Sequence, residues 1–243
     1  MKEAAAAPGR SWLDAARCLV IAHRGASAEA PENTQAAFRL AIDRGADGIE
    51  LDVRASGDGH LVVIHDATVD RVTGAEGEIA ALTLAALRRL DAGAGQRIPT
   101  LAEVLDLARG RLLVDIELKI TGVEPQVLAL VREFGMERDV LITSFHEEAV
   151  AAVRRLASDV ATGLLQQRPA PGRAVALGTP VYLPPIGALS DGLMAECRRL
   201  GLRVIPWTIR REEEAKTALR LGVAGMIADD PRLVRSVLAQ AQA

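Results

Sequence analysis

The chain has 243 residues, and 49% of them are hydrophobic, which is enough to form one sizeable core. Its formal net charge is −3, and residues of both signs are scattered along the chain. The sequence therefore lacks the basic stripe that neutralises nucleic-acid phosphates, so we expect one domain over residues 1–243 and no nucleic-acid partner.

The termini and cysteines carry information about location. Pro8 and Gly9 interrupt the segment Met1–Arg17 before an apolar signal core can form, so we expect no signal peptide. Later stretches fall short of the roughly 20 apolar residues that cross a bilayer, so we expect no stable membrane insertion. Cys18 and Cys197 are too few for a disulfide framework and favour a reducing compartment. We predict a cytoplasmic protein, and the sequence leaves its oligomeric state open.

Short apolar, β-branched runs alternate with amphipathic stretches from residue 19 onwards. This alternation predicts repeated βα units and a parallel sheet. The pattern predicts nine strands, at Leu19–His23, Gly48–Val53, Leu61–His65, Leu112–Glu117, Val140–Ser144, Ala161–Leu165, Pro180–Leu183, Arg203–Trp207 and Ala224–Ala228.

A (β/α)₈ barrel needs eight parallel strands, so one predicted strand must be extra. The second and third strands are separated by Ala55-Ser56-Gly57-Asp58-Gly59, a turn sequence. Parallel neighbours need a crossover of about a dozen residues, so this turn cannot connect them. We therefore predict that Leu61–His65 is a hairpin partner, that residues 55–99 are a small insertion after barrel strand two, and that the other eight strands close a TIM barrel.

The acidic residues on two predicted strands have the same spacing. Glu50 and Asp52 point to one side of their strand, and Asp115 and Glu117 repeat this pattern on the next barrel strand. Neighbouring strands lie about 4.8 Å apart, so Glu50, Asp52 and Glu117 can converge on one point. Hard oxygen ligands select Mg²⁺, Ca²⁺ or Mn²⁺. The alternative, separate surface ion pairs, stays open at this stage.

Two of the four histidines, His23 and His65, end predicted strands near these acids. A lone strand-end histidine is usually structural, but two beside a carboxylate cluster favour general acid/base chemistry. Arg24 and Lys119 are placed to offset phosphate charge, although each in isolation is equally consistent with a solvated surface cation.

Other polar and aromatic residues give weaker signals. We expect no chemical role for His60 or His146. Trp207 is a candidate apolar wall for the substrate, with core packing as an equal alternative. Glu32 and Asn33 form either the entry to a helix or a polar rim of the site, and the sequence favours the helix entry.

Several motifs follow one another from Val20 onwards. They are His23-Arg24-Gly25-Ala26, Pro31-Glu32-Asn33-Thr34, Glu50-Leu51-Asp52-Val53, Asp58-Gly59, Val63-Ile64-His65-Asp66, Ile98-Pro99-Thr100-Leu101, Ile116-Glu117-Leu118-Lys119, Ser144-Phe145, Trp207-Thr208 and Asp229 before Pro231. With these motifs the chain resembles the glycerophosphodiester phosphodiesterase family, in particular its small cytoplasmic bacterial members.

The resemblance implies a (β/α)₈ barrel with an insertion after strand two and one divalent cation, Mg²⁺ or Ca²⁺, with Mn²⁺ as a further option. It implies that the cation ligands are Glu50, Asp52 and Glu117, that the acid/base pair is His23 and His65, and that the phosphate contacts are Arg24 and Lys119. The expected reaction converts a glycerophosphodiester and water into an alcohol and sn-glycerol 3-phosphate. His23 is taken as the base, and the sequence leaves open whether water or a glycerol hydroxyl attacks first.

The chain departs from the family pattern near barrel strands seven and eight and in the turn after strand two. Arg210 stands where the family usually has Asn, Ala228 where it has Thr, and Gly57 where it often has Lys. None of these positions belongs to the implied metal or acid/base set, so the expected reaction class is unchanged. The departures put in doubt only which alcohol the protein recognises. Two alternatives remain, a related phosphodiesterase acting on lysophospholipids and a non-catalytic binding barrel.

Overall fold

A computed structural model describes residues 12–241. The predicted absence of a signal core concerns a segment that lies largely outside these residues. In the described part, the strands are β1 (Leu19–His23), β2 (Gly48–Ala55), β3 (Leu61–Val63), β4 (Leu113–Leu118), β5 (Val140–Ser144), β6 (Ala161–Leu165), β7 (Val181–Leu183), β8 (Arg203–Val204) and β9 (Gly225–Ala228). The α-helices are α1 (Gln35–Asp43), α2 (Asp70–Thr73), α3 (Leu84–Leu87), α4 (Leu101–Ala108), α5 (Glu124–Glu133), α6 (Glu147–Leu156), α7 (Gly172–Ala176), α8 (Asp191–Arg199), α9 (Glu212–Leu221) and α10 (Pro231–Gln240). Within residues 12–241, no helix has the length and apolar character needed to cross a membrane.

Eight of the strands form a nearly closed parallel barrel. Their order is β8-β7-β6-β5-β4-β2-β1-β9, and each neighbouring pair is parallel. Backbone hydrogen bonds join the two ends of this order: the N–H of Ala224 donates to the carbonyl of Val204 at 2.8 Å, and that of Ile209 donates to Ile227 at 2.8 Å. The predicted TIM barrel is therefore confirmed.

The ninth strand lies outside the barrel order. β3 pairs antiparallel with β2, with Val53 opposite Val63 and Ala55 opposite Leu61, as predicted for a hairpin. β3 is shorter than predicted, but the N–H of Ile64 still donates to the carbonyl of Asp52 at 2.9 Å, and this bond holds the next residue, His65, near the barrel. The segment after β3 has its own apolar cluster, formed by Val62, Ile64, Val69, Ile79, Leu87, Ala92 and Ile98.

The seventh predicted barrel strand is also shorter than expected. β8 ends at Val204 rather than Trp207, because Pro206 has no N–H to donate to a regular ladder. Pairing nevertheless continues irregularly, since the N–H of Trp207 donates to the carbonyl of Pro184 at 3.1 Å. Trp207 is therefore still fixed at this end of the barrel.

The alternation of side chains along β2 decides which residues face the barrel interior. Ile49, Leu51 and Val53 are fully buried in the apolar layer that also contains residues of α1 and α4. Glu50 and Asp52 point to the opposite face, towards the barrel axis. Burial of the apolar face thus fixes the orientation of both acids.

Gly25, which follows His23 and Arg24, is required by its backbone conformation and by its surroundings. Its φ is +81°, and an added Cβ would lie 2.6 Å from the carbonyl carbon of Ala37 in α1. The turn that leaves β1 can therefore approach α1 only with glycine at this position.

We expect Gly25→Ala to lower the free energy of unfolding by about 3 kcal/mol, because strain and a backbone clash add. Gly59→Ala is the matched control, since Gly59 has a φ of +82° but open space around it. The control should cost about 1 kcal/mol, from strain alone. Urea unfolding measures both, and equal losses would show that the contact with α1 does not constrain the turn.

Candidate active site

His23 and the three predicted metal ligands lie side by side at the carboxyl end of three adjacent barrel strands. His23 is in register with Glu50, and Asp52 with Glu117. A cavity of ≈ 290 Å³ opens at this end of the barrel. Its lining includes His23, Arg24, Glu50, His65, Glu117 and Lys119. This is the face on which (β/α)₈ enzymes place their chemistry.

Three carboxylates converge in this region. Glu50, Asp52 and Glu117 each offer one oxygen atom, and these atoms lie within 4.8 Å of one another. All three side chains are buried. Burial and the repulsion from neighbouring acids raise the pKa of Glu50 well above its usual range and that of Glu117 to about 7. Three acids this close are therefore not all ionised without additional positive charge.

The donor set suits a hard divalent cation. All three candidate ligands are carboxylates, and the buried Oδ1 atom of Asp52 has no hydrogen-bond partner. The Lys119 ammonium supplies part of the positive charge, at 2.6 Å from Oε1 of Glu117 and 3.5 Å from Oδ1 of Asp52. An oxygen cluster of this kind fits Mg²⁺, Ca²⁺ or Mn²⁺.

A fourth acid, Asp115, lies two residues before Glu117 on β4 and is also buried. Its Oδ1 accepts a hydrogen bond from Oγ1 of Thr143 at 2.7 Å, whereas its Oδ2 has no partner. Burial raises the pKa of Asp115 to about 8. Burial thus favours the protonated form of Asp115 over its carboxylate.

His23 is held by a carboxylate from the opposite end of the chain. Its Nδ1 lies 2.5 Å from Oδ1 of Asp229, and its Nε2 lies 4.0 Å from Oε2 of Glu50. An ionised carboxylate only accepts hydrogen bonds, so Nδ1 carries the proton in neutral His23 and Nε2 is the basic atom. Burial would raise the pKa of Asp229, but hydrogen bonds from His23 and Arg210 outweigh it and lower that pKa.

His65 has a similar environment on the other side of the cavity. Its Nδ1 lies 2.6 Å from Oδ1 of Asp66, and Arg71 donates from Nε to Oδ2 of Asp66 at 2.6 Å. The hydrogen bond from Arg71 lowers the pKa of Asp66 to about 2, so Asp66 stays ionised. Burial lowers the pKa of His65. His65 is thus neutral near pH 7, with Nε2 as its basic atom.

Arg24 and Lys119 are largely buried, with side chains 17% and 13% exposed, so neither is a solvated surface cation. Arg24 donates from Nη1 to Oε1 of Glu32 at 2.9 Å, and its Nε lies 3.4 Å from Oδ2 of Asp52. Its backbone N–H also donates to Glu50 at 3.0 Å. The cavity therefore has positive charge on two sides of the acid cluster.

The cavity also has an aromatic wall. Trp207 packs edge-to-face against Phe145, with ring centroids 5.5 Å apart, and both residues line the cavity. The indole N–H of Trp207 donates to the carbonyl of Leu183 at 2.8 Å, which fixes the ring. Trp207 thus packs against the core and borders the cavity, and its contact with substrate stays a prediction.

One preferred interpretation was wrong. Thr34, rather than Glu32 or Asn33, caps α1, because its hydroxyl accepts the N–H of Ala37. Asn33 instead donates to Oδ2 of Asp52 at 2.7 Å. The chain turns sharply at Asn33, whose φ is +56°, and this turn directs the amide towards the acid cluster rather than along the helix.

Asp66 and Asp229, the partners of the two histidines, were not predicted as site residues. Asp66 directly follows His65, so its adjacency was an available signal. Asp229 lies 206 residues from His23, and the motif in which it precedes Pro231 did not indicate this contact. His60 and His146 are absent from the cavity lining, and their lack of a chemical role stays a prediction.

The fold and the site together define a class, a (β/α)₈-barrel protein with an acidic cluster and two histidine–carboxylate pairs. Residues 23–233 match the model of the glycerophosphoryl diester phosphodiesterase family. A glycerophosphodiester phosphodiesterase from Caldanaerobacter subterraneus subsp. tengcongensis is 41% identical over 236 residues, which cover 88% of this chain and 95% of that protein. The chain therefore belongs to the glycerophosphoryl diester phosphodiesterase family, and the family resemblance seen in the sequence is confirmed.

Solved structures agree with this assignment. A glycerophosphodiester phosphodiesterase from Agrobacterium tumefaciens superposes with a TM-score of 0.82 at 32% identity, over 90% of this chain and all of that one (100%). An Oleispira antarctica phosphodiesterase in complex with the product sn-glycerol-3-phosphate has a TM-score of 0.83 at 29% identity, over 91% of this chain and 96% of that one.

The raised pKa values predict how the metal-free protein responds to pH. Glu117 and Asp115 have ordinary pKa values of 4.5 and 3.8, and folding raises them to about 7 and about 8. Over that interval the folded state binds more protons than the unfolded state, so its stability falls as pH rises. We expect the free energy of unfolding, measured with urea and chelator, to fall between about pH 5 and about pH 8.

Glu117→Gln removes one of these titrations, so the fall should be smaller in this variant. Glu133→Gln changes an exposed glutamate on α5 and should leave the wild-type pH dependence unchanged. The same slope in wild type and Glu117→Gln would contradict the raised pKa of Glu117.

Proposed function

We propose that this protein hydrolyses glycerophosphodiesters to an alcohol and sn-glycerol 3-phosphate, using one divalent cation and a pair of histidines. The observation that carries the proposal is that His23 and His65 line the same cavity as Glu50 and Glu117, two members of the acid cluster. The family match supports the reaction class, and the Oleispira antarctica relative holds sn-glycerol-3-phosphate, the product that this reaction releases.

In this proposal Glu50, Asp52 and Glu117 hold the cation, Mg²⁺ or Ca²⁺, with Mn²⁺ also suited to the oxygen ligands. When bound, the cation polarises phosphoryl oxygen atoms and offsets negative charge in the transition state. Arg24 binds a phosphate oxygen through its planar guanidinium, and Lys119 does so as a point charge. Their burial strengthens both contacts, because water screens them less.

The two histidines move the protons. Asp229 and Asp66 each hold the Nδ1–H of one ring, so both Nε2 atoms are available for proton transfer. One histidine removes a proton from the attacking hydroxyl, and the other, once protonated, donates a proton to the departing alkoxide. Nε2 is the available atom in both rings, so this geometry does not distinguish the base from the acid. The choice of His23 as the base stays a prediction.

The remaining features concern substrate and setting. Trp207 is proposed to contact an apolar part of the substrate, since it borders the cavity beside Phe145. We also propose one domain over residues 1–243 with an insertion over about 55–99, and a cytoplasmic location consistent with the free thiols of Cys18 and Cys197.

Metal removal tests the cation. After treatment with chelator, we expect release of glycerol 3-phosphate from glycerophosphocholine to stop, and addition of Mg²⁺, Ca²⁺ or Mn²⁺ to restore it, because the acids then recover their counter-charge. Lysophosphatidylcholine in the same assay separates the lysophospholipid alternative. Turnover that persists in chelator would exclude a metal requirement, and absence of turnover on every phosphodiester would favour a binding barrel.

Substitution of the histidines tests the proton transfers. His23→Ala and His65→Ala should each lower kcat by about 100-fold or more, because each removes a proton donor or acceptor. His60→Ala is the matched control, since His60 lies in the hairpin turn outside the cavity, and it should leave kcat unchanged. Steady-state kinetics with circular dichroism on each variant gives the measurement, and near-normal turnover in either variant would remove that histidine from the mechanism.

A further inference from the structure

An arginine of the insertion contacts two carboxylates that come from different parts of the chain. Arg71 lies on α2, in the segment between β3 and α4. Its Nε donates to Oδ2 of Asp66 at 2.6 Å, while Nη1 and Nη2 donate to the two oxygens of Glu32 at 2.9 and 2.7 Å. Asp66 belongs to the insertion, and Glu32 to the loop between β1 and α1.

Each of these carboxylates also holds a residue of the proposed site. Oδ1 of Asp66 lies 2.6 Å from Nδ1 of His65, and Oε1 of Glu32 accepts a hydrogen bond from Nη1 of Arg24 at 2.9 Å. A continuous chain of contacts therefore runs from His65 through Asp66, Arg71 and Glu32 to Arg24. It joins His65, which lies outside the barrel, to Arg24, which directly follows barrel strand β1.

We propose that Arg71 is a positioning residue that sets the place of His65 relative to Arg24. This inference rests on the proposed function, in which His65 transfers a proton and Arg24 binds phosphate. Arg71 is absent from the cavity lining, so it acts through its two carboxylate partners and not on the substrate. Its side chain is 48% exposed, so its contacts orient their partners through the geometry of the guanidinium and not through deep burial.

The shape of the guanidinium explains why arginine is suited to this position. Its rigid fork presents the Nε edge to Asp66 and the paired Nη atoms to Glu32, so one planar group fixes both carboxylates in orientation. A lysine ammonium supplies the charge but no fixed angle between its contacts. Without a cation here, Glu32 and Asp66 would lose the positive charge that they share.

Kinetics of single substitutions separate the two contacts of Arg71, one through Asp66 to His65 and the other through Glu32 to Arg24. We expect Arg71→Ala to lower kcat/KM by roughly 10-fold to 100-fold, through a lower kcat and a higher KM, because both His65 and Arg24 lose their support. Asp66→Asn should act mainly on kcat, and Glu32→Gln mainly on KM. Arg71→Lys should restore only part of the loss.

Arg173→Ala is the matched control. Arg173 forms an exposed pair with Glu147, and neither residue lines the cavity. Its removal should leave kcat and KM unchanged. Kinetics of Arg71→Ala equal to those of Arg173→Ala, or a loss of activity that parallels a loss of folded protein, would overturn the proposal.

A second measurement does not depend on activity. The chain has only four histidines, so ¹⁵N spectra of histidine-labelled protein can be assigned with single substitutions. Arg71→Ala should shift the ring-nitrogen signals of His65, because Asp66 no longer holds Nδ1 in one direction, and leave those of His23 unchanged. Unchanged His65 signals would refute the proposal, whether or not the protein is active. A wild-type protein that hydrolyses no glycerophosphodiester, but whose His65 signals respond to Arg71→Ala, would refute the proposed function alone.

Discussion

Mutual repulsion among buried carboxylates is the constraint on which the site depends. Glu50, Asp52 and Glu117 present oxygen atoms within 4.8 Å of one another, and all three side chains are buried. Such a cluster persists in a folded protein only where protons or cations offset its charge. The neighbouring cations provide this in part, since Lys119 contacts Glu117 and Asp52, and Nε of Arg24 lies 3.4 Å from Oδ2 of Asp52. A divalent cation would complete the neutralisation, and the same positive charge would then serve phosphate chemistry.

The two histidines reach this cluster from different parts of the fold but have the same kind of support. His23 on β1 contacts Asp229, which accepts a hydrogen bond from Arg210, and His65 contacts Asp66, which accepts one from Arg71. In each case a carboxylate fixes the Nδ1–H of the ring and also accepts a hydrogen bond from an arginine. The two histidines thus have similar environments, and in the proposed reaction Nε2 of each ring would be the atom that exchanges protons.

Much of this arrangement follows from local sequence patterns. The turn between Ala55 and Gly59 is too short for a crossover. Its length therefore correctly predicted that the strand beginning at Leu61 lies outside the barrel. Strand periodicity placed Glu50 and Asp52 on the same face, because burial of Ile49 and Leu51 leaves no other choice. Asn33 was misjudged because a residue before a helix usually serves that helix, whereas here its positive φ directs it to Asp52.

The sequence by itself determined the barrel, the hairpin beside β2 and the candidate acids and histidines, because apolar periodicity and turn chemistry act over a few residues. Only the tertiary structure decided which carboxylate supports each histidine and how the insertion connects to the barrel. Asp229 meets His23 across 206 residues, and Arg71 meets Glu32 across 39. Contacts at such separations depend on how strands and loops close around the barrel. The residues next to a polar side chain do not indicate which distant residue it will contact.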